Sequence, residues 1–423
     1  MTAALLRLNS RTFLSIRKYR NYRLFFFGQA ISLPGTWLQR AAQAWLILTL
    51  THSGFAVGVL ALAQFLPFTL FSLVIGVFID RFDARRIVLT TQTTFMLLAA
   101  TLAAITLIGV VTPWQVYVIA FLMGVVQVVD SSARQQLTYR MVGRDALQNA
   151  VALNSSVFNA SRIYGPGLAG VLIYAFGVGI CFAINAVSFL AVIAGLLLMR
   201  PSEFFPVEAS RRPRFFRGTR EGFAYALRSR EILLVLVLVI STFAVNNNVL
   251  LPVLARQTLH SHSITFGVLV ASFGLGALLG GLLAAAQGRA RTSLMLLGAV
   301  VFGAANLLIA LQHSIWLSCV LLVVAGIGFT TWSSNSNSIV QLTAPDHLRG
   351  RVIGLYFFAF AGTGSVGGLF AGWLVRVGGT HLAFIVAGLA TIVATVAIGR
   401  LLRVRRAPMR AEEEGLAPER IAA

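Results

Sequence analysis

Long apolar runs separated by short polar breaks fill almost the whole chain, and the length of the runs decides the fold. A bilayer core about 30 Å thick takes about 20 helical residues to cross. Runs of that length cover roughly 24–49, 55–79, 87–110, 113–134, 147–175, 180–199, 232–255, 264–287, 292–311, 315–335, 350–376 and 380–401. Where polar residues fall inside the runs, they recur at three- and four-residue spacing, which is the period of a helix face. The pattern predicts an all-α integral membrane protein with twelve transmembrane helices.

The runs repeat. "GVVQVVDSSARQQL…YGPGLAG" from Gly124 and "GIGFTTWSSNSNSI…SVGGLFAG" from Gly326 occupy corresponding places in the hydropathy pattern. One offset of 202 places Trp114 on Trp316, Gly124 on Gly326, Gly165 on Gly367 and Gly170 on Gly372. The predicted organisation is a tail (1–23), a six-helix bundle (24–199), a basic linker (200–231), a second six-helix bundle (232–402) and a second tail (403–423). Parallel repeats about an axis along the membrane normal are a transporter architecture, with the site between the halves near the midplane.

Charge fixes the orientation. The chain has 34 Lys and Arg against 13 Asp and Glu, a formal net charge of +21, which in a soluble protein would point to nucleic acid. Here the arginines follow alternate loops instead. Arg81, Arg85, Arg86, Arg134, Arg140, Arg144, Arg349 and Arg351 fall on one side with the linker and both tails. The loops "THSG", "VTP", "FGVG", "HSHS", "QHS" and "VGGT" on the other side carry histidines, with Arg256 and Arg376 at their edges. The positive-inside rule then puts both termini in the cytosol; Lys18 as the sole lysine points to a GC-rich bacterial source, whose inner membrane would hold the chain. The basic N-terminal lead precedes a run too long for a signal peptide, so it reads as a cytosolic tail. Cys181 and Cys319 both sit in apolar runs, so neither a disulfide nor a metal site is expected.

Between the second and third runs lies "GVFIDRFDARRIVL". It resembles the loop motif G-x-x-x-D-R-x-G-R-[RK] of the major facilitator superfamily. Gly76, Asp80 and Arg81 match, Arg85 matches the final basic position, and Asp83 and Ala84 depart from the pattern. "NYRLFFFGQAISLPGTWLQRAAQAWLILTLTHS", "DSSARQQL", "NAVALNSSVFNASRIYGPGLAG" and "LRGRVIGLYFFAF" extend the likeness to the bacterial drug and siderophore exporters, the branch of the enterobactin and macrolide exporters. The resemblance implies a cytosolic gate. Asp80 would face the positive N-terminus of the helix beginning near Arg349, and Arg85 or Arg86 would reach Asp130. These pairs would latch the halves when the protein opens outward.

Polar residues inside the spans are the site candidates, because each is costly there. The first span carries Ser32, Thr36, Gln39 and Gln43 on one face, with Arg40 beside them. The fifth carries Ser155, Asn159 and Arg162; the seventh carries Thr242, Asn246, Asn247 and Asn248. The resemblance places these helices around a central cavity. Thr36, Gln39, Arg40, Gln43, Asn159, Arg162, Asn246 and Asn247 are therefore the candidate substrate contacts. Of the 13 acidic residues only Asp130 lies within a span, whereas Arg40 and Arg162 have no acid beside them in sequence. That favours an anionic or strongly hydrogen-bonding substrate, such as a catecholate or carboxylate-bearing siderophore.

Other motifs change little. "YGPGLAG", with Gly165, Pro166 and Gly170, resembles the fifth-helix motif of antiporters and equally suits a packing face. Gly362, Gly364 and Gly367 match a dinucleotide fingerprint but lie in a membrane span, where no strand precedes them. The linker stretch "RRPRFFRGTREGFAYALRSRE" reads as a surface helix on an anionic leaflet, and the C-terminal tail as disordered. The expected protein is a monomeric secondary exporter working by alternating access. It is coupled to protons through the resemblance and needs no cofactor. The alternatives are a facilitative or uptake carrier on the same fold, and less so a membrane sensor or enzyme. Paired carboxylates, a histidine cluster or an activated nucleophile at depth, which an enzyme requires, are not found.

Overall fold

The computed structural model describes residues 13–79, 82–206, 215–243, 247–287, 290–345 and 348–413. In chain order its helices are α1 (Leu14–Lys18), α2 (Arg20–Thr51), α3 (Gly54–Ile79), α4 (Ala84–Ile108), α5 (Pro113–Phe176) and α6 (Val178–Leu197). Then follow α7 (Phe215–Arg228), α8 (Arg230–Phe243), α9 (Asn247–Val253) with a π-helical turn at Leu254–Thr258, α10 (Ser263–Gln287), α11 (Thr292–Ala310), α12 (Ile315–Thr343) and α13 (Arg349–Glu413). Among the described residues, eight helices are long and apolar enough to cross a membrane. The predicted first span is α2, whose glutamines and Arg40 dilute its apolarity, and the seventh corresponds to α8 and α9 on either side of residues 244–246.

Local chemistry explains the boundaries. Asp83 caps α4 by accepting the Arg86 backbone N–H at 3.0 Å, and α4 ends at Gly109 in the left-handed region. α5 opens with Pro113 as its first residue, and the Thr112 backbone N–H donates to Gln115 Oε1 at 2.8 Å. The predicted break between the fourth and fifth spans is narrower than expected. The helix runs from Pro113 to Phe176 and turns on Gly143 alone, at φ 68° and ψ −174°. α13 turns likewise at Gly379, φ 70°. A side chain would be strained in either place. α5 and α13 each therefore supply two arms, 113–142 with 144–176 and 349–377 with 380–413. The second arm of α13 continues to Glu413, so the part of the tail expected to be disordered is helical that far. The linker holds α7 as expected, anchored where Tyr225 Oη donates to the Thr343 carbonyl at 3.3 Å.

The helices form two sets, α2–α6 and α8–α13, with two unlike ends. One end, rich in arginine, holds the start of α2, the α3–α4 turn, Gly143 and the end of α6; the other bears His52, His260, His262, His313 and His381. Toward the histidine-bearing end one buried apolar core spans both sets, from Trp45, Leu46 and Phe182 to Phe266, Val375 and Phe384. Toward the arginine-rich end the core divides. One part, around Tyr22, Phe25, Leu137 and Leu196, belongs to the first set; the other, around Leu238, Met295, Trp332 and Tyr356, belongs to the second.

Candidate functional site: the seam between the two helix sets

Two helix pairs build the seam, and the repeat predicted from the sequence relates them. Gly170 of α5 packs on α10, where a Cβ would lie 3.0 Å from the Gly267 Cα. Its repeat mate Gly372 of α13 packs on α3, where a Cβ would lie 3.1 Å from the Gly58 Cα. Small residues let these backbones touch. Farther along α13 the approach loosens. A Cβ on Gly364 would meet Phe65 at 3.7 Å, one on Gly362 would meet Thr69 at 3.5 Å, and one on Gly354 would meet nothing within 4 Å. The two sets thus close at the histidine-bearing end and diverge toward the arginine-rich end.

A cluster that sequence reasoning missed fastens the closed end. Trp45 stacks on Phe266 with ring centroids 5.6 Å apart and an 18° interplanar angle. Arg256 lies over the Trp45 ring, 5.7 Å from its centroid, and donates to Thr49 Oγ1 at 2.6 Å. Gln257 Nε2 donates to the His52 carbonyl at 3.2 Å, and Ser263 Oγ to the Gly170 carbonyl at 3.0 Å. The sequence held one signal: Arg256 is one of two arginines, with Arg376, at the edges of the loops on that side.

Where α2 meets the second arm of α5, two aromatic rings lie beside one guanidinium group, with a second one turn farther along α5. Trp37 meets Phe158 edge to face at 5.5 Å, and the Arg40 guanidinium lies 5.2 Å from the Trp37 ring centroid. Both helices run toward the histidine-bearing end. Arg40, three residues past Trp37, and Arg162, four past Phe158, therefore sit about one turn deeper on neighbouring helices. Arg162 is half-buried, and its Nε finds no partner among the described residues. Thr36, one turn before Arg40, is half-buried with its hydroxyl on the Ser32 carbonyl at 3.4 Å; Asn159 donates to the Ser155 carbonyl at 2.9 Å. Asn246 lies outside the described residues, and Asn247 begins α9.

The glutamines of α2 are not where the sequence put them. Gln39 is buried, accepts from Asn185 Nδ2 at 2.6 Å and donates to Met123 Sδ at 3.0 Å. Gln43 is buried and accepts from Gln64 Nε2 at 2.9 Å. Both turn into the first helix set, binding α2 to α3, α5 and α6, so they are interhelical links rather than seam lining. The spacing had identified a polar face but not its neighbour.

The gate residues divide similarly. Gly76 lies near the end of α3, while Asp80 and Arg81 fall outside the described residues. Asp130 is fully buried and accepts from Thr91 Oγ1 at 2.7 Å, from Gln92 Nε2 at 2.8 Å and from Arg134, which also donates to Gln29. The expected pair with Arg85 or Arg86 is not formed here. Arg134 is one turn away on the same helix and needs no reach. Arg85 instead donates to the Leu196 and Leu197 carbonyls at 2.9 and 3.2 Å, covering the C-terminus of α6, where unpaired carbonyls attract a cation. In the motif of α5, Gly165 lies against Trp37 and the Pro34 carbonyl, and Pro166 against Gly267.

Comparison with known proteins agrees with this architecture. Residues 12–419 match the transmembrane secretion effector family. The chain belongs to that family. Among curated relatives of the family member, the staphyloferrin A transporter of Staphylococcus aureus is 25% identical over 90% of this chain and 97% of its own. The multidrug efflux pump Tap of Mycolicibacterium fortuitum is 26% identical over 90% and 96%, and the macrolide efflux protein A of Streptococcus pyogenes is 24% identical over 80% and 86%. In structure, the chain resembles the nucleoside transporter NupG, with a TM-score of 0.70 at 15% identity over 90% of this chain and 99% of that one. It also resembles a bacterial homologue of the lysosomal transporter Spinster in an inward-facing, unoccupied conformation, with a TM-score of 0.67 at 13% identity over 89% and 95%. This transmembrane secretion effector is therefore a multi-pass membrane transporter of the major facilitator superfamily and not an enzyme.

Proposed function

We propose that the chain exports a small anionic molecule, a siderophore-like catecholate or carboxylate, by alternating access through the seam, in exchange for protons. The observation that carries this reading is the wall of Arg40 and Arg162 beside Trp37 and Phe158. A buried donor without a partner costs about 1–3 kcal/mol, so an Arg162 kept half-buried with a free Nε is poised for an acceptor arriving with the substrate. Aromatic rings beside it suit a flat, partly apolar ligand. The divergence toward the arginine-rich end gives that ligand an entrance, and the Trp45 cluster is the barrier that opens for release. On this reading the arginine-rich end is cytosolic. Asp80, Arg81, Arg85 and Arg86 latch it when the sets rock the other way, so Asp80→Asn impairs transport without lowering membrane abundance. The seam lies within one chain, so a monomer suffices.

Uptake into inverted vesicles under an imposed pH gradient tests the proposal. Gradient-dependent accumulation of a catecholate or carboxylate, with its neutral ester carried poorly, is the expected result. Equal transport of acid and ester refutes the anionic substrate. Transport that ignores the gradient makes the chain a facilitative carrier.

A further inference from the structure

A second binding feature lies on the outside of the molecule, between α2 and α6 near the arginine-rich end. Gly28 and Gly195 bring the two helices into backbone contact: a Cβ on Gly28 would lie 2.9 Å from the Val192 Cα, and one on Gly195 would lie 2.9 Å from the Leu24 carbonyl oxygen. Along that contact runs an open groove of about 410 Å³, floored by Gly28, Ala191 and Gly195 and walled by Phe27, Ile31 and Leu198. The three wall residues are each more than half exposed. At 100° per residue this face of α2 is roughly opposite the face of Thr36 and Arg40, so the groove opens to the membrane and not to the seam.

Arg23 stands at its mouth. The neighbouring arginines are committed. Arg20 donates to the Leu198 carbonyl at 2.9 Å, Arg85 covers Leu196 and Leu197, and Arg200 pairs with Glu203 at 3.4 Å. Arg23 is exposed and its guanidinium makes no hydrogen bond or ion pair among the described residues. From Arg23 to Ile31 the groove descends about 12 Å along α2, at 1.5 Å per residue. An uncommitted cation at the end of a membrane span, above an apolar furrow of that depth, matches a phosphate headgroup with its acyl chain beneath. Basic pockets between transmembrane helices bind anionic lipid headgroups on this principle.

We propose that this groove is a binding site for an anionic diacyl phospholipid, with Arg23 holding the phosphate and the α2–α6 furrow holding one acyl chain. The proposal needs only that the protein lies in a bilayer, so it stands or falls apart from the substrate reading. The test is native mass spectrometry of the purified full-length protein, exchanged against phosphatidylglycerol or phosphatidylcholine, together with melting curves in each lipid and in inorganic phosphate. The expected result is a preference for phosphatidylglycerol of about fivefold, one basic residue's worth at an anionic surface. Arg23→Gln removes the preference, Ala194→Trp, which fills the groove from an exposed position, lowers retention of both lipids, and phosphate alone does not stabilise. Equal retention of the two lipids by the unaltered protein, an undiminished preference in Arg23→Gln, or stabilisation by phosphate alone would overturn the proposal. Arg23 is on the surface, so its replacement decides the matter even if the tryptophan variant does not fold.

Discussion

Around Asp130 at the arginine-rich end the polar links stay within the first helix set; at the histidine-bearing end, three links around Arg256 run between the sets. Arg134 with Gln29, Asp130 with Thr91 and Gln92, Arg85 with the end of α6, Arg140 with Asp83 at 2.6 Å and Asn21 with Arg200 all tie parts of α2–α6 to one another. Arg256 with Thr49, Gln257 with His52 and Ser263 with Gly170 cross the seam. The first kind braces a set; the second holds the two sets together at the histidine-bearing end, and among the described residues the hydroxyls of Thr69 and Ser365, 3.4 Å apart, add one contact farther along the seam. This fastening supports the proposed tilting of one set against the other, with the helices kept straight.

The largest effect expected is on rigidity. Asp130→Asn leaves Arg134 beside a site that no longer balances its charge, and breaking a buried pair this way costs about 3–5 kcal/mol. Folded yield and detergent melting temperature should drop sharply; a variant as stable as the original would show that the network does not hold α2, α4 and α5. Next comes the seam itself. Arg162→Gln removes a charge-assisted bond of about 1.5–3 kcal/mol, so binding of an anionic substrate should weaken by roughly tenfold to a hundredfold, read by titration with membrane abundance unchanged. At the closed end, Trp45→Ala removes an aromatic pair and a cation–π contact together worth about 1–2 kcal/mol. Thiol labelling of Leu259→Cys from the histidine-bearing side should then speed up by roughly tenfold, and an unchanged rate would mean the cluster does not bar the exit.

The smallest effect is expected at Asp83. Partial burial works against its charge, but the Arg140 hydrogen bond, the Arg86 and Arg85 backbone N–H groups and the Arg140 charge outweigh it, so the carboxyl titrates below its usual range. A depressed folded-state value stabilises above the unfolded value and loses that contribution as pH falls through the folded one. Asp83→Asn keeps a capping residue but drops the half-exposed ion pair, costing about 0.2–1 kcal/mol near pH 7 and nothing once the pH lies below the folded value. Melting curves across that range check the sign.

How far the sequence reached follows from which forces it records. Apolar run length and the glycine repeat depend on the chain alone, so the helical membrane fold and the equivalent placing of Gly170 and Gly372 were legible. Periodicity places Gln39, Arg40 and Gln43 on adjoining strips of one helix, but only packing shows that the glutamines turn to Asn185 and Gln64 while Arg40 turns to Trp37. Asp130 pairs with Arg134, four residues away on its own helix, a neighbour that the loop motif does not encode. The Trp45 cluster joins residues more than two hundred positions apart, which no local pattern encodes.

The central claim is that two rigid sets tilt about a seam closed at one end. Paired spin labels measure it most directly, with Cys181 and Cys319 replaced, at Trp114 and Trp316 on the histidine-bearing end and at Gln148 and Leu342 on the other, all but the two cysteines exposed. During turnover in liposomes the first distance should lengthen as the second shortens. Two distances that stay fixed, or that change in the same direction, would contradict the account.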